Sequence, residues 1–284
     1  MNFLITGSTG FLGNYISEYL TDKNHKVLKC TRNKLKNDEF YFDLKNGYEL
    51  NKKNKLILKN VNILIHCAFN FDCKNYSEHL KINFEGSKKI FELAKLFNIK
   101  IIYISSISAF EKSVALYGKI KFAIEGLAKQ YQATILRPGI IYGISSQSIF
   151  GVIEKVILRF PIIPLIGFGN QKLYTCKIDN LCLLIEHLSK LNNNRSIIIT
   201  AASKKWILFK HMIKIIANKN KKKIILLPFP SALIYLILYL NSLFRIIKRL
   251  KSDNLTSILN CNNDPSFEEL DKTNIIFSNF ETDY

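Results

Sequence analysis

Tyr117 and Lys121 stand four positions apart in Tyr-Gly-Lys-Ile-Lys, so a helix carrying them would present both on one face, one turn apart. That pairing can do proton chemistry. A free phenol titrates near 10, too high for a base at neutral pH, and an ammonium alongside favours the phenolate. Such a pair could exchange a proton with a substrate hydroxyl while a nicotinamide takes or gives the hydride. Alone the spacing says little, because any lysine-rich helix supplies one by chance. Ser105-Ser106 lies upstream at the end of an apolar run, where a hydroxyl could steady a substrate oxygen against Tyr117. Either serine by itself is read equally well as a turn or cap residue.

A second group of residues would bind rather than react. Gly7-Ser8-Thr9-Gly10-Phe11-Leu12-Gly13 follows an apolar run directly and precedes a helical pattern directly. Chemistry asks for glycine three times here. One lets the chain turn sharply, one lets backbone approach a pyrophosphate, and one lets helix and strand pack closely. The helix start then offers unpaired N–H groups to phosphates. The strand before and the helix after turn a weak motif into a specific one.

The elements that must position these groups alternate as in a parallel α/β sheet. Asn2–Thr6, Lys26–Cys30, a weak Phe40–Phe42, Val61–Cys67, Lys100–Ile104 and Thr134–Leu136 are expected strands. Helices are expected over Phe11–Leu20, around Leu80, Phe84, Phe91 and Ala94, and over Val114–Tyr131. The fold class is α/β, a Rossmann-type doubly wound parallel sheet with a small mixed C-terminal substrate domain. Residues 1–145 form the dinucleotide-binding domain, its core shared with parts of 172–201, and 146–251 form the substrate portion. In that portion the period is less regular, and a mixture of helices and short strands is expected over Ile149–Arg159, Leu173–Lys177, Leu181–Leu191, Ile197–Thr200, Phe209–Ala217, Ile224–Leu227 and Ser231–Leu250. The tail 252–284 has mixed polarity, little period and no assignment.

The formal charge of +19 suggests an anionic partner, but lysine, asparagine and isoleucine rise together, as biased base composition would produce. The reading is a solvated basic surface and no nucleic-acid partner. Six scattered cysteines without Cys-x-x-Cys argue against zinc and against a disulfide framework. With Asn2–Thr6 already a strand, no secretory signal is expected, and the location is cytoplasmic. No acidic residue occurs between Glu186 and Asp253, and there Pro228-Phe229-Pro230 leads into an apolar run and then Arg245, Lys248, Arg249 and Lys251. The run is too short to span a bilayer. It is either a packed helix or a peripheral membrane contact through residues 228–251.

These motifs together resemble the extended short-chain dehydrogenase/reductases, the NAD-dependent epimerase/dehydratase family, over roughly residues 1–230. The Gly-x-x-Gly-x-x-Gly spacing is that family's form of the dinucleotide loop. Asp43-Leu44 resembles its adenine-contacting pair, His66-Cys67-Ala68 its cleft-lining His-x-Ala, and Asn83 its supporting helix asparagine. Arg137-Pro138-Gly139 with Tyr142-Gly143 resembles the stretch flanking nicotinamide and substrate. Leu173–Leu181 resembles a hydrophobic-Asp-Asp-Leu segment, with Asp179 kept and Asn180 in place of the second acid. The resemblance implies Ser106, Tyr117 and Lys121 as the catalytic set. Tyr117 would be the general acid/base, Lys121 would lower its pKa and contact the ribose, and Ser106 would orient the substrate oxygen. The cofactor would lie against Gly7, Thr9, Gly10, Phe11, Leu12, Gly13, Arg32, Asp43, Leu44, Cys67, Ala68, Asn83, Ser105, Tyr117, Lys121 and Pro138, with no metal.

Two departures matter. A short loop separates Ser106 from Tyr117, which leaves less wall for substrate recognition. Cys30-Thr31-Arg32 lacks the acid that holds ribose hydroxyls in NAD-preferring members, and Arg32 could pair with a 2′-phosphate. NAD or NADP is therefore the expected cofactor, with NADP favoured. The implied partner is a small-molecule substrate, a sugar nucleotide, for an epimerase, dehydratase or reductase of surface-polysaccharide synthesis, and a homodimer is allowed. The alternatives are an oxidoreductase on another small carbonyl or steroid-like substrate, and a noncatalytic dinucleotide-binding scaffold.

Overall fold

The computed structural model describes residues 1–32, 39–143, 149–191, 195–230, 256–257 and 261–284. In chain order, β1 (Asn2–Thr6) runs into α1 (Phe11–Asp22), followed by β2 (Lys26–Thr31), β3 (Glu39–Asp43), β4 (Gly47–Tyr48) and α2 (Lys52–Leu58). Next come β5 (Ile63–His66), the short α3 (Tyr76–His79), a π-helical turn over Leu80–Phe84, α4 (Glu85–Leu96), β6 (Lys100–Ile104), α5 (Leu116–Gln130) and β7 (Thr134–Pro138). The rest comprises β8 (Ile140–Tyr142), α6 (Ile149–Arg159), β9 (Ile162–Ile166), β10 (Lys172–Leu173), β11 (Thr175–Lys177), α7 (Ile178–Lys190) and β12 (Ile197–Ala201). It continues through β13 (Ile207–Leu208), α8 (Phe209–Lys219) and β14 (Ile225–Phe229) to α9 (Glu268–Asp271) and α10 (Phe280–Asp283).

Eight strands form one sheet in the order β12-β7-β6-β5-β1-β2-β3-β4, parallel except for the short β3–β4 pair. The chain winds outward from β1 through β2 and β3, then returns to β5 and winds the other way. The reversal point lies between β1 and β5, where ligands of open α/β sheets bind beyond the strands' carboxyl ends. Strand alternation divides the core between the two faces. Phe3, Ile5, Ile63, Ile65 and Ile102 pack under α1 and α7 with Ile16, Leu181 and Ile185, while Leu4, Leu64, Ile101 and Tyr103 pack under α4 and α5 with Phe91, Ile120 and Ile124. The near-continuous apolar runs of β1, β5 and β6 follow from burial on both faces.

Beyond β7 the chain builds a smaller third cluster from Tyr142, Phe150, Ile157, Leu165, Met212, Ile213 and Ile216. The tail left unassigned in the sequence completes it. Phe280 is buried against Tyr142 and Phe150, with ring centroids 5.0 and 5.7 Å away, and Tyr284 stacks on Phe280 at 4.9 Å. Tyr284 donates to Glu154 Oε1 at 2.6 Å, and Lys177 pairs with Asp283 at 2.8 Å. Asn180, which replaces the second acid, accepts from the Ser278 amide at 3.0 Å and so anchors this same tail.

Among the described residues no helix is long and apolar enough to cross a membrane. The Ser231–Leu250 helix, and with it most of the membrane-contact segment, lies outside the described residues.

The aromatic cluster gives a direct prediction for the tail. Phe280→Ala should cost about 3–5 kcal/mol, the range for emptying a buried phenyl site. Urea denaturation should show a lower midpoint with little change in slope, and an unshifted midpoint would refute the packing role.

Candidate active site

A cavity of about 950 Å³ opens at the carboxyl ends of β1, β5, β6 and β7. Its lining takes in Gly7, Thr9, Gly10, Phe11, Leu12, Gly13, Arg32, Asp43, Leu44, Cys67, Ala68, Ser105, Ser106, Tyr117, Lys121 and Pro138. Residues expected from sequence to bind a dinucleotide and to do proton chemistry therefore share one space.

The glycine loop is held by backbone. Gly7 adopts φ +68°, and a Cβ there would sit 2.9 Å from the Ala68 amide nitrogen, so the turns after β1 and β5 touch. A Cβ on Gly13 would collide with the Gly7 carbonyl, which fixes how closely α1 approaches the strand end. The α1 N-cap, Gly10, makes no side-chain capping bond, and the first turn carries no acid. These first N–H groups and their dipole are thus directed at the cavity, as phosphate binding requires. Ser8 donates to the Cys30 carbonyl at 2.7 Å, tying the loop to β2. Arg32 is exposed at the cavity's β2 side.

His66 explains the rigidity of the β5 side. Ser87 Oγ donates to the Asn83 carbonyl at 2.7 Å, so toward His66 Nε2, at 2.9 Å, it accepts. The imidazole therefore carries its proton on Nε2, and Nδ1 accepts from Thr6 Oγ1 at 2.7 Å. Burial, with Lys121 nearby, pushes His66 down to about 3. It is a neutral strut joining β1, β5 and α4, not a base.

Helix α5 brings the reactive pair to the cavity. Lys121 is buried, donates to the Ile104 carbonyl at 2.7 Å, and lies 4.9 Å from the Tyr103 ring centroid and 5.0 Å from that of Phe69. Burial lowers it to about 8, against the opposing influence of Cys67 and Glu125. Tyr117 keeps part of its surface open, yet burial pushes its phenol up to about 12, with the Ser106 hydrogen bond acting in the opposite direction. The expected lowering of the phenol by Lys121 is not among the influences on it. The ammonium is 5.9 Å from the Tyr117 ring centroid, and desolvation sets the direction. Gly118, beside Tyr117, sits where a Cβ would collide with Ser113 and the Ser108 carbonyl, so the short loop after Ser106 folds tightly over the start of α5.

Three residues of the resembling motifs are held by bonds within the protein. Asn83 is buried outside the cavity lining, on the π-helical turn, where its amide accepts from the Asn70 amide at 2.6 Å and donates to the Asn70 carbonyl at 3.0 Å. It clamps the loop that carries Phe69 and Phe71. Asp43 accepts from the amides of Lys45 and Asn46, both at 2.9 Å, and shapes the β3–β4 turn at the rim. Arg137 turns its guanidinium onto Glu125, away from the cavity lining.

Phe71 and Glu125 were missed by the sequence reading. The Phe71 ring lies nearly parallel to that of Tyr117, at 5.6 Å and 20°, and Phe69 meets Tyr117 edge-on at 5.1 Å. The aromatic pair following His66-Cys67-Ala68 was the available signal for the first. A lone acid one helical turn beyond Lys121 was the signal for the second.

A glycine-loop nucleotide fold with a Ser/Tyr/Lys set at its switch point defines an extended short-chain dehydrogenase/reductase. Residues 3–172, more than half of the chain, match the NAD dependent epimerase/dehydratase family, and the chain belongs to it. An uncharacterized protein of Methanocaldococcus jannaschii is 30% identical over 167 residues, covering 46% of this chain and 51% of that protein. A ceramide reductase of Caulobacter vibrioides is 27% identical over 57% of this chain and 53% of its own. A UDP-glucose 4-epimerase of Vibrio cholerae is 24% identical over 65% of each chain. The matched spans thus reach about half to two thirds of these relatives' lengths. The fold is also that of UDP-N-acetylglucosamine 4-epimerase from Bacillus cereus, at TM-score 0.71 and 17% identity over 99% of this chain and 96% of the other. UDP-glucuronic acid 4-epimerase from Bacillus cereus, solved with UDP-glucuronic acid and NAD, gives 0.65 at 20% identity over 81% and 87%. A dTDP-4-dehydrorhamnose reductase from Bacillus anthracis, solved with NADP, gives 0.66 at 18% over 81% and 84%.

The depressed His66 value makes stability pH-dependent. The unfolded chain takes up this proton near 6.5 while the folded protein refuses it down to about 3. Stability is therefore intact above 6.5 and falls below it, by about 1.4 kcal/mol per pH unit from this group. His66→Gln, although less stable at neutral pH, should lose about one proton from the acid-unfolding slope between pH 6 and 4. An unchanged slope would count against the neutral strut.

Proposed function

We propose that the protein is a nicotinamide-dinucleotide-dependent epimerase, dehydratase or reductase acting on a hydroxyl or keto group of a nucleotide-activated sugar in surface-polysaccharide synthesis. The observation that carries this reading is the convergence of an uncapped, acid-free α1 N-terminus and the Ser106–Tyr117–Lys121 set on one cavity. The residues present fit the cofactor. Glycines leave room for backbone to meet a pyrophosphate, and Cys67, Ala68 and Pro138 offer an apolar floor beyond it. When bound, the nicotinamide supplies the hydride acceptor or donor. Ser106 orients the substrate oxygen. Tyr117, its phenol held protonated by burial, is poised to give a proton to that oxygen as a general acid and to recover it in the reverse direction. Lys121, mostly charged at neutral pH, would hold the cofactor ribose when the cofactor is bound. Arg32, at the β2 end, favours NADP over NAD.

A specific observation also favours a second reading, an oxidoreductase on a lipophilic carbonyl. Around Tyr117 the lining includes Phe69, Phe71, Ile107, Ile140 and Val152. Among the described residues, the basic side chains in the cavity are Lys121 and, at the β2 and β3 ends, Arg32 and Lys45. The ceramide reductase relative accords with this alternative. A cytoplasmic location, a homodimer, and a peripheral membrane contact through residues 228–251 complete the proposal. Failure to sediment with anionic vesicles at low salt would remove the membrane contact.

Titration with NADH and NADPH, followed by nicotinamide fluorescence, is the primary test. NADPH should bind more tightly, and Arg32→Ala should weaken it about tenfold or more while sparing NADH, as expected for loss of a charge-assisted bond. Binding of neither would leave a noncatalytic scaffold. Product analysis with UDP-sugars against long-chain carbonyl compounds separates the two substrate readings. Tyr117→Phe should lower turnover by roughly 10²–10⁴-fold, the usual contribution of a general acid; unchanged turnover would remove Tyr117 from catalysis.

A further inference from the structure

Glu125 is buried in the floor beneath the reactive pair, and no step above uses it. Its carboxylate is fully engaged. Oε1 accepts from Ser105 Oγ at 2.6 Å and from Arg137 Nε at 2.8 Å, while Oε2 accepts from Arg137 Nη2 at 2.6 Å. A two-pronged arginine pair of this kind fixes direction as well as distance. Three elements meet in it: α5 through Glu125, the end of β6 through Ser105, and β7 through Arg137. Ser105 is held again by its amide, which donates to the Leu136 carbonyl at 2.7 Å.

Lys121 lies one turn before Glu125 on the same helix and donates to Ile104, the residue before Ser105. The ammonium and the carboxylate thus grip consecutive residues at the end of one strand. Ser106, which bonds Tyr117, is next in the chain. A short lever connects Glu125 to each member of the reactive set.

The charges around Lys121 define what else the carboxylate does. Cys67 and His66 face it from the end of β5, Tyr103 from β6, and Tyr117 and Glu125 from its own helix. Burial keeps Cys67 a thiol, up to about 12, and His66 neutral. The standing negative charge in this group is that of Glu125, and Arg137 is its counter-ion.

We infer that Glu125 is a positioning residue of the active site, which with Arg137 holds Ser105 and the Lys121 ammonium in working geometry. Removing one partner of a buried pair leaves the other uncompensated. Glu125→Gln would leave the Arg137 cation uncompensated and take from Lys121 the carboxylate that favours its charged form, so proton loss from Lys121 becomes easier. The double variant Glu125→Gln/Arg137→Met removes the unpaired cation as well, which should relieve the folding cost of the single change while Lys121 still lacks the carboxylate; a purely structural role would instead return Lys121 to its wild-type behaviour.

The inference rests on the reading of Lys121 as a site residue, so its test uses a direct readout. The Lys121 ammonium is titrated by NMR in protein labelled on its lysine side chains, with Lys121→Met identifying the signal. The wild-type midpoint is expected near 8. In Glu125→Gln it should move toward neutrality, and in the double variant, which also lacks the carboxylate, it should stay there. Turnover of Glu125→Gln at pH 8 should fall about tenfold, with NADPH affinity following the same pH shift. A Lys121 midpoint unmoved in a folded Glu125→Gln protein overturns the inference. If Glu125→Gln does not fold, Glu125→Asp decides. That variant keeps the charge, so the midpoint should stay while kcat falls through loss of the Ser105 bond; unchanged kcat overturns the inference. A wild-type midpoint near 8 combined with no nicotinamide binding would instead refute the proposed function and leave the electrostatic coupling standing.

Discussion

Everything that faces the cavity depends on how closely the turn after β1 approaches the turn after β5. Gly7 and Ala68 meet backbone to backbone, and Gly13 brings α1 against the same point. A side chain at either glycine would push the strands' ends apart. The His66 strut, with its proton fixed on Nε2, holds that spacing from below. A helix start aimed at phosphates is useful only because these contacts place it opposite the ends of β6 and β7.

Burial then sets the chemistry. The same apolar surroundings lower the Lys121 ammonium and raise the Tyr117 phenol from their ordinary values. The carboxylate of Glu125 limits how far that shift goes for the lysine. The aromatic rings of Phe69, Phe71 and Tyr103 supply the low-dielectric surroundings. Proton transfer is thereby tuned by packing as much as by charge.

The sequence disclosed the sheet and the site floor because their signals are local. β1, β5 and β6 are apolar runs buried on both faces, and the glycine loop, Ser105–Ser106 and Tyr117–Lys121 are short motifs at strand ends. What it concealed depends on partners distant in the chain. The Arg137 guanidinium finds its carboxylate on Glu125, and the Asn83 amide finds the backbone of Asn70. The phenol of Tyr117 depends on burial by residues far upstream, which no four-residue spacing encodes. The tail was missed because Leu270, Phe277 and Phe280 sit in four-residue helices and turns without a period, though each is buried.

The aromatic stack of Tyr142, Phe150, Phe280 and Tyr284 also has a temporal meaning. A ribosome finishes the whole glycine-loop sheet, out to β12, well before it delivers Phe280. During that interval the third cluster stands open, with Tyr142 and Phe150 lacking their cover. A nascent chain at that stage exposes the apolar surface of this cluster to the cell. The need to shield apolar surface during synthesis therefore falls on the lobe beside the site more than on the sheet that holds the dinucleotide loop.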